Sequence, residues 1–168
     1  MILKDRHPIQ IYRRTFSFAL TRFAVCRAGL RPIPAGYALQ PLDPALIARP
    51  PDLMGEISVT WGSAESFLAF GRGFCLLNGN ELVSACLSAF ASEIADEISV
   101  HTADAYRRQG WGAVVAAAFI QDCLEVNHHP NWECFWDNQP SMKLAEKIGY
   151  TMPQDYPVSY WEESSQTG

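Results

Sequence analysis

Residues 106–112 read Tyr106-Arg107-Arg108-Gln109-Gly110-Trp111-Gly112, and the next eight, 113–120, read AVVAAAFI. Two arginines and two glycines stand directly before the most helix-prone apolar run of the chain. The first turns of a helix expose N–H donors without partners and the positive end of the peptide dipole. Glycines there let an anion approach the backbone, and arginines add charge, so the stretch reads as a cradle for a phosphate or pyrophosphate. The competing reading is a glycine-containing turn before a core helix. No Gly-Lys-Ser/Thr follows, so this is not a Walker loop, and the third glycine of the dinucleotide fingerprint is missing.

Upstream, "FCLL" (74–77), "NGN" (78–80) and "ELVSACLSAF" (81–90) form a hairpin signature, because Asn-Gly accepts the positive φ angles of a tight turn. A second turn near 92–96 delivers "EISVHT" (97–102) as a third consecutive antiparallel strand. Downstream, the helix runs to about Val126. "NWECFWD" (131–137) reads as an aromatic-rich strand, "NQPSMKLAEKIGY" (138–150) as a helix stopping at Gly149, and "YPVSYW" (156–161) as a last strand. Earlier in the chain, "YALQPL" (37–42) is a short strand, "DPALIARPPD" (43–52) a turn-rich helical piece, and Ser63 an N-cap for one or two helical turns. The order β, helices, β-β-β, long helix, β, helix, β predicts an α/β (α+β) fold around a mixed, mostly antiparallel sheet flanked by helices.

The 168 residues suit one domain with its own core, and no apolar run approaches the ~20 residues that cross a bilayer. Charge is uneven: residues 1–36 hold seven basic residues against Asp5, a net +6, and the remainder carries −11 of the total −5. An acidic body is not built to coat nucleic acid. In the basic arm, Tyr12, Phe16, Ala19, Leu20, Phe23, Cys26 and Leu30 recur at helical spacing and predict an amphipathic helix. Three roles fit it: packing on the body or, in a homodimer, on a second subunit; lying on a membrane surface; or targeting. The expected division is therefore an arm at 1–36 and a catalytic domain at 37–168. Five cysteines without a Cys-x-x-Cys read as reduced thiols of a cytoplasmic protein. Cys123, His128, His129 and Cys134 match no common zinc spacing, so no metal is expected.

Arg107-x-x-Gly110-x-Gly112 after a strand and before a helix resembles the acyl-CoA-binding motif of the GNAT N-acetyltransferase superfamily. "EISVHT" resembles that family's fourth strand, and "WECFWDNQPSMKLAEKIGY" its fifth strand and following helix. The resemblance covers about 37–161, and its phrasing is nearest the bacterial zwittermicin-resistance-like subgroup. It implies acetyl-CoA as donor, held where strands four and five splay apart. It implies that the backbone N–H groups of Arg108, Gln109, Gly110, Trp111, Gly112 and Ala113 hold the pyrophosphate, with Arg107 opening the loop. It implies that Ile98, Ser99 and Val100 pair with the pantetheine arm and that Asn138 contacts it.

Acetyl transfer to an amine requires a base, a donor for the oxyanion and a departing thiolate. Glu97 starts the strand where the superfamily often places a glutamate, and the Val100 N–H suits the oxyanion. Strand alternation sets Glu97, Ser99 and His101 on one side, opposite Ile98 and Val100. His101 is an alternative base, with a water relaying between it and Glu97. Two departures stand out. Ala145 occupies the position where many members have a tyrosine acid, leaving Ser141 and Tyr150 as substitutes. The loop from Val100 to Arg107 is about two residues longer than usual. Trp61, Phe67, Trp132, Trp136 and Trp161 fit either a pocket lining or a core. The expected function is transfer of acetyl to a small primary amine; the alternative is a non-catalytic CoA-binding sensor or interaction module.

Overall fold

The computed structural model describes residues 8–49 and 51–160. Trp161, one of the aromatic candidates, lies outside the described residues. Among the described residues seven strands are present: β1 (Ile9–Ser17), β2 (Tyr37–Pro41), β3 (Gly73–Asn78), β4 (Glu81–Ala91), β5 (Ala95–Thr102), β6 (His129–Phe135) and β7 (Thr151–Tyr160). The helices are α1 (Leu20–Ala28), α2 (Pro44–Ile47), α3 (Pro51–Trp61), α4 (Ala64–Phe70), α5 (Trp111–Glu125) and α6 (Gln139–Lys147). All seven strands form one sheet in the order β2-β3-β4-β5-β6-β1-β7. Every neighbouring pair is antiparallel except β5 and β6. This is the mostly antiparallel mixed sheet that the sequence predicts.

The hairpin signals hold locally. Gly79 and Asn80 join β3 to β4, Ser63 caps α4 through its side chain, and α5 spans the run that follows the glycine loop. α5 is buried along most of its circumference, with Trp111, Val115, Phe119 and Ile120 in the core. The sheet has two apolar faces. Strand alternation sends Leu76 of β3 toward α5 and Cys75 and Leu77 toward α2, α3 and α4.

Residues 12–17 are the principal correction. They form a strand, not the first turns of the amphipathic helix. β1 lies between β6 and β7, pairing Arg13 with Phe135 and with Tyr156. The segment Ile9–Thr15 is rich in β-branched and aromatic residues, and two long-range ladders outweigh its helical spacing. The helix starts only at Leu20, and the apolar series is split: Phe16 and Phe23 are buried in the core, while Tyr12 and Leu20 are exposed. Arg14 of β1 holds Asp155 of β7 with two bonds, of 2.6 and 2.7 Å.

At the base of β5, Asp96 is fully buried. It accepts from Arg72 Nε at 3.0 Å and Ser88 Oγ at 2.7 Å, and lies 2.7 Å from His128 Nδ1. This network pins the end of the sheet where β5 and β6 are still paired. His128 is therefore a partner of Asp96. Among the described residues no His, Cys, Asp and Glu cluster has the geometry of a metal site.

Candidate active site

The parallel ladder between β5 and β6 covers only Ala95↔His129, Asp96↔Pro130 and Glu97↔Asn131. Beyond it each strand keeps only its other neighbour. Ile98 to Thr102 continue along β4, and Trp132 to Phe135 continue along β1. A gap therefore opens between the two strands from Glu97 onward. Ala103 N donates to Val83 O at 3.0 Å, which fixes the alternation of the β4–β5 ladder. Ser99 and His101 direct their amides to β4, while Ile98, Val100 and Thr102 direct theirs into the gap. Of the three residues assigned from the sequence to the pantetheine arm, Ile98 and Val100 thus have their amides on the open edge, Val100 being also the oxyanion donor, whereas the Ser99 amide is taken up by β4.

The gap runs into the glycine loop. A short 3-10 turn, Asp104–Tyr106, lies in the connection between β5 and α5. The Tyr106 hydroxyl anchors that turn on the β3–β4 hairpin by donating to Glu81 Oε2 at 2.7 Å. Arg108 and Gly110 both have left-handed φ, of 59° and 89°. Left-handed residues on either side of Gln109 are the backbone pattern of an amide nest, a concave turn of the kind that accepts anions, here at the start of α5. No side chain caps α5, so its first N–H groups are left for that nest. Trp111 is buried, and Tyr37 stacks on it with ring centroids 5.1 Å apart.

The side chains assigned from sequence divide into three groups. Glu97 stands where β5 and β6 part, and Arg13 of β1 donates to its Oε1 at 3.2 Å. The same Arg13 Nη2 is 3.6 Å from Glu133 Oε2 on β6, and Tyr156 of β7 donates to Glu133 Oε2 at 2.6 Å. Burial, then the Glu133 charge, raises the Glu97 carboxyl above its usual range against the pull of Arg13. Ser99 and His101 share the side of β5 that carries Glu97. His101 Nε2 engages Glu56 of α3 and lies 3.4 Å from Ser99 Oγ. Both contacts use one ring nitrogen, so they do not build a Ser-His-Glu relay, which needs one partner on each nitrogen. Burial pushes the Glu56 carboxyl up, but bonds from His101 and Ser99 outweigh it and leave it lowered.

The second group sits at the start of α6. Asn138 is its N-cap, its side chain accepting from Ser141 N at 3.2 Å, and Ser141 Oγ accepts from Trp132 Nε1 at 3.1 Å. The third group is Tyr150 alone, which the structure does not bring to the gap. It is 1% exposed, and its hydroxyl donates to Pro130 O at 2.8 Å. Burial pushes it well above the usual tyrosine range. Ala145 is fully buried against the core. Of the aromatic candidates, Phe67 and Trp132 are core, Trp61 donates to Ser88 O, and Trp136 is half exposed beyond β6.

Sequence reasoning missed Arg13, Glu133, Tyr156 and Glu56, which come from four different elements. Only charge type marked them, and charge type alone gives no position. A groove of about 510 Å³ between the α1 exit, β2–β3 and α5, floored by Leu30, Leu39, Phe74 and Val114, is separate from the gap: no residue of β5 or β6 lines it.

The family model for GNAT acetyltransferase matches residues 7–159. The chain is 32% identical over 160 residues to the uncharacterized N-acetyltransferase YdfB of Bacillus subtilis (strain 168), covering 95% of this chain and 59% of that protein. A GCN5-related N-acetyltransferase-like protein from Streptococcus suis aligns at 26% identity and a TM-score of 0.71, over 94% of this chain and 64% of that one. A GNAT family acetyltransferase from Elizabethkingia anophelis with acetyl-CoA bound shares the fold, with a TM-score of 0.54 at 14% identity over 71% of this chain and 78% of that one. The chain thus spans about three fifths of the length of the first two relatives. By sequence and by fold, this chain belongs to the GNAT acetyltransferase family.

Proposed function

We propose that the chain transfers acetyl from acetyl-CoA to a primary amine of a small molecule by direct attack in a ternary complex. The observation that carries this reading is the gap between β5 and β6. Its edge offers the amides of Ile98, Val100 and Thr102, and it opens onto the amide nest at residues 108–113. The pantetheine arm is an amide chain and pairs with such an edge as a strand would. The nest takes the pyrophosphate.

Glu97 removes a proton from the acceptor ammonium, a task favoured by its raised pKa. The freed nitrogen attacks the thioester carbon, and the Val100 N–H donates to the oxygen that becomes negative. The intermediate collapses with the C–S bond breaking, CoA leaves as thiolate, and the new amide nitrogen sheds its remaining extra proton to water, while Glu97 still holds the first one. An ordinary thiol pKa of about 8.5 makes the thiolate a competent leaving group near neutral pH. No acid is then required at Ala145, and Ser141 supplies the one side-chain hydroxyl on α6. Five free cysteines support a cytoplasmic setting. The phrasing of strands and loop supports the zwittermicin-resistance-like subgroup.

The test is a melting curve with acetyl-CoA, followed by thiol release against a panel of amines. A rise in Tm, and release that the Glu97→Gln variant lacks, is the expected result. No rise in Tm sinks the donor assignment. Buried Ala145 and the engaged Tyr150 hydroxyl favour one second reading, a CoA-binding module without turnover. Tight binding with no release for any amine would support it.

A further inference from the structure

Arg107, the arginine that opens the loop motif, is already engaged. Its Nη2 pairs with Asp104 Oδ1 at 2.9 Å, and its Nε donates to Thr102 O at 3.2 Å. It ties the loop to the end of β5 through the Thr102 carbonyl and forms an exposed pair with Asp104. Two other cations reach the loop from distant parts of the chain. Arg31, in the connection between α1 and β2, donates Nη1 to Gln109 O at 2.7 Å and lies over the Trp111 ring at 3.6 Å from its centroid. Lys147, in the last turn of α6, places Nζ 3.2 Å from where a Cβ on Gly110 would stand, and Arg31 Cδ is 3.7 Å from the same point. Gly110 is therefore clasped between an arginine and a lysine.

Among the described residues, neither Arg31 nor Lys147 has a carboxylate within ion-pairing distance. Residues 37–168 carry −11 and only six basic side chains, so an arginine from outside that stretch and a lysine without a carboxylate on one glycine are conspicuous. Both cations border the same glycine, so an anion bound there would meet two positive side chains with no paired carboxylate to displace. Arg31 is also pre-organised: the indole face and the Gln109 carbonyl fix its guanidinium plane, so little side-chain entropy remains to be lost on binding.

We propose that Arg31 and Lys147 form a cationic rim beside the amide nest and bind a phosphate group of CoA. The inference rests on the donor reading above. The shared chemistry is a phosphate oxygen, and CoA offers two sources, the diphosphate and the adenosine 3′-phosphate. On this view residues before β2 belong to the donor site.

The experiment is calorimetric titration of the full chain and of Arg31→Gln, Lys147→Gln and the double variant with CoA, dephospho-CoA and pantetheine. Each single variant should raise the Kd for CoA about tenfold, the loss of one charge-assisted bond, and the double variant more. Affinity for pantetheine, which has no phosphate, should stay unchanged. A loss that persists with dephospho-CoA assigns the diphosphate, and a loss that disappears assigns the 3′-phosphate. Lys147 is exposed, so its replacement tests the idea even if Arg31→Gln disturbs Trp111. CoA binding by both single variants within twofold of the parent overturns the inference and leaves the donor reading standing. An equal loss for pantetheine also overturns it, since the effect would then be on loop shape. A parent chain that binds no CoA overturns the donor reading itself.

Discussion

Replacing Gly149 by alanine should destabilise the protein far more than the same change at Gly79, although both glycines have positive φ. Gly149 ends α6 at φ 102°, and Gly79 makes the β3–β4 turn at φ 58°. Left-handed backbone costs a residue with a Cβ about 1–2 kcal/mol. At Gly79 nothing lies within 4 Å of the added carbon, so that strain is the whole penalty, about 1 kcal/mol after the stiffer unfolded chain is counted. At Gly149 the carbon would lie 2.8 Å from Phe23 N, 2.9 Å from Arg22 C and 3.0 Å from Phe23 Cα. All three are backbone atoms of α1, so no rotamer change relieves the contact and the helix itself must retreat. Overpacking of this kind adds about 1–3 kcal/mol. The expected total is about 2–5 kcal/mol. For a chain of this size each kcal/mol lowers Tm by about 2–4 °C. Urea and thermal unfolding followed by circular dichroism should thus place Gly149→Ala well below Gly79→Ala. If the two variants agree within 0.5 kcal/mol or so, α1 does not press on the end of α6, and the packing argument fails.

Glu97 should titrate in opposite directions when its neighbours are neutralised. Arg13→Gln raises its midpoint and Glu133→Gln lowers it, read by carbon-13 NMR of labelled glutamate carboxyls with Glu97→Gln for assignment. The groups facing it are Arg13 on β1, Glu133 on β6 and Tyr156 on β7, with Glu56 and His101 farther along the same side. Shifts of the same sign in both variants would contradict this arrangement. Because its folded pKa is raised, Glu97 contributes stability below its unfolded value near 4.5, and loses it as pH rises through the folded value. Glu97→Gln is therefore expected to raise Tm at neutral pH, and an unchanged Tm argues against a buried, charge-crowded carboxylate. Asp96→Asn leaves Arg72 and His128 without their buried carboxylate and should cost about 3 kcal/mol in urea unfolding, against less than about 1 for the half-exposed Asp122. Tyr150→Phe orphans the Pro130 carbonyl and should cost about 1–2 kcal/mol while leaving the Kd for CoA and the rate of transfer intact. A large fall in rate would return Tyr150 to the role of acid.

The signals legible in the sequence were those completed within a few residues. Asn-Gly sets a hairpin through its own dihedrals, Ser63 caps the helix that follows it, and Gly110 takes the left-handed conformation at the start of α5. These interactions close over short distances, so the loop, the β-meander and the long helix could be read without a fold. Tertiary structure decided the rest. Residues 12–17 repeat at helical spacing and still form a strand, because Arg13 pairs with Phe135 and Tyr156, more than a hundred residues away. That placement carries the Arg13 guanidinium to Glu97, and the connection after α1 carries Arg31 to Gly110. Neither meeting leaves a trace in local periodicity. A charge in a sequence has a sign without a position, and only the folded chain brings Arg13 to Glu97 and sets Arg31 and Lys147 on one glycine.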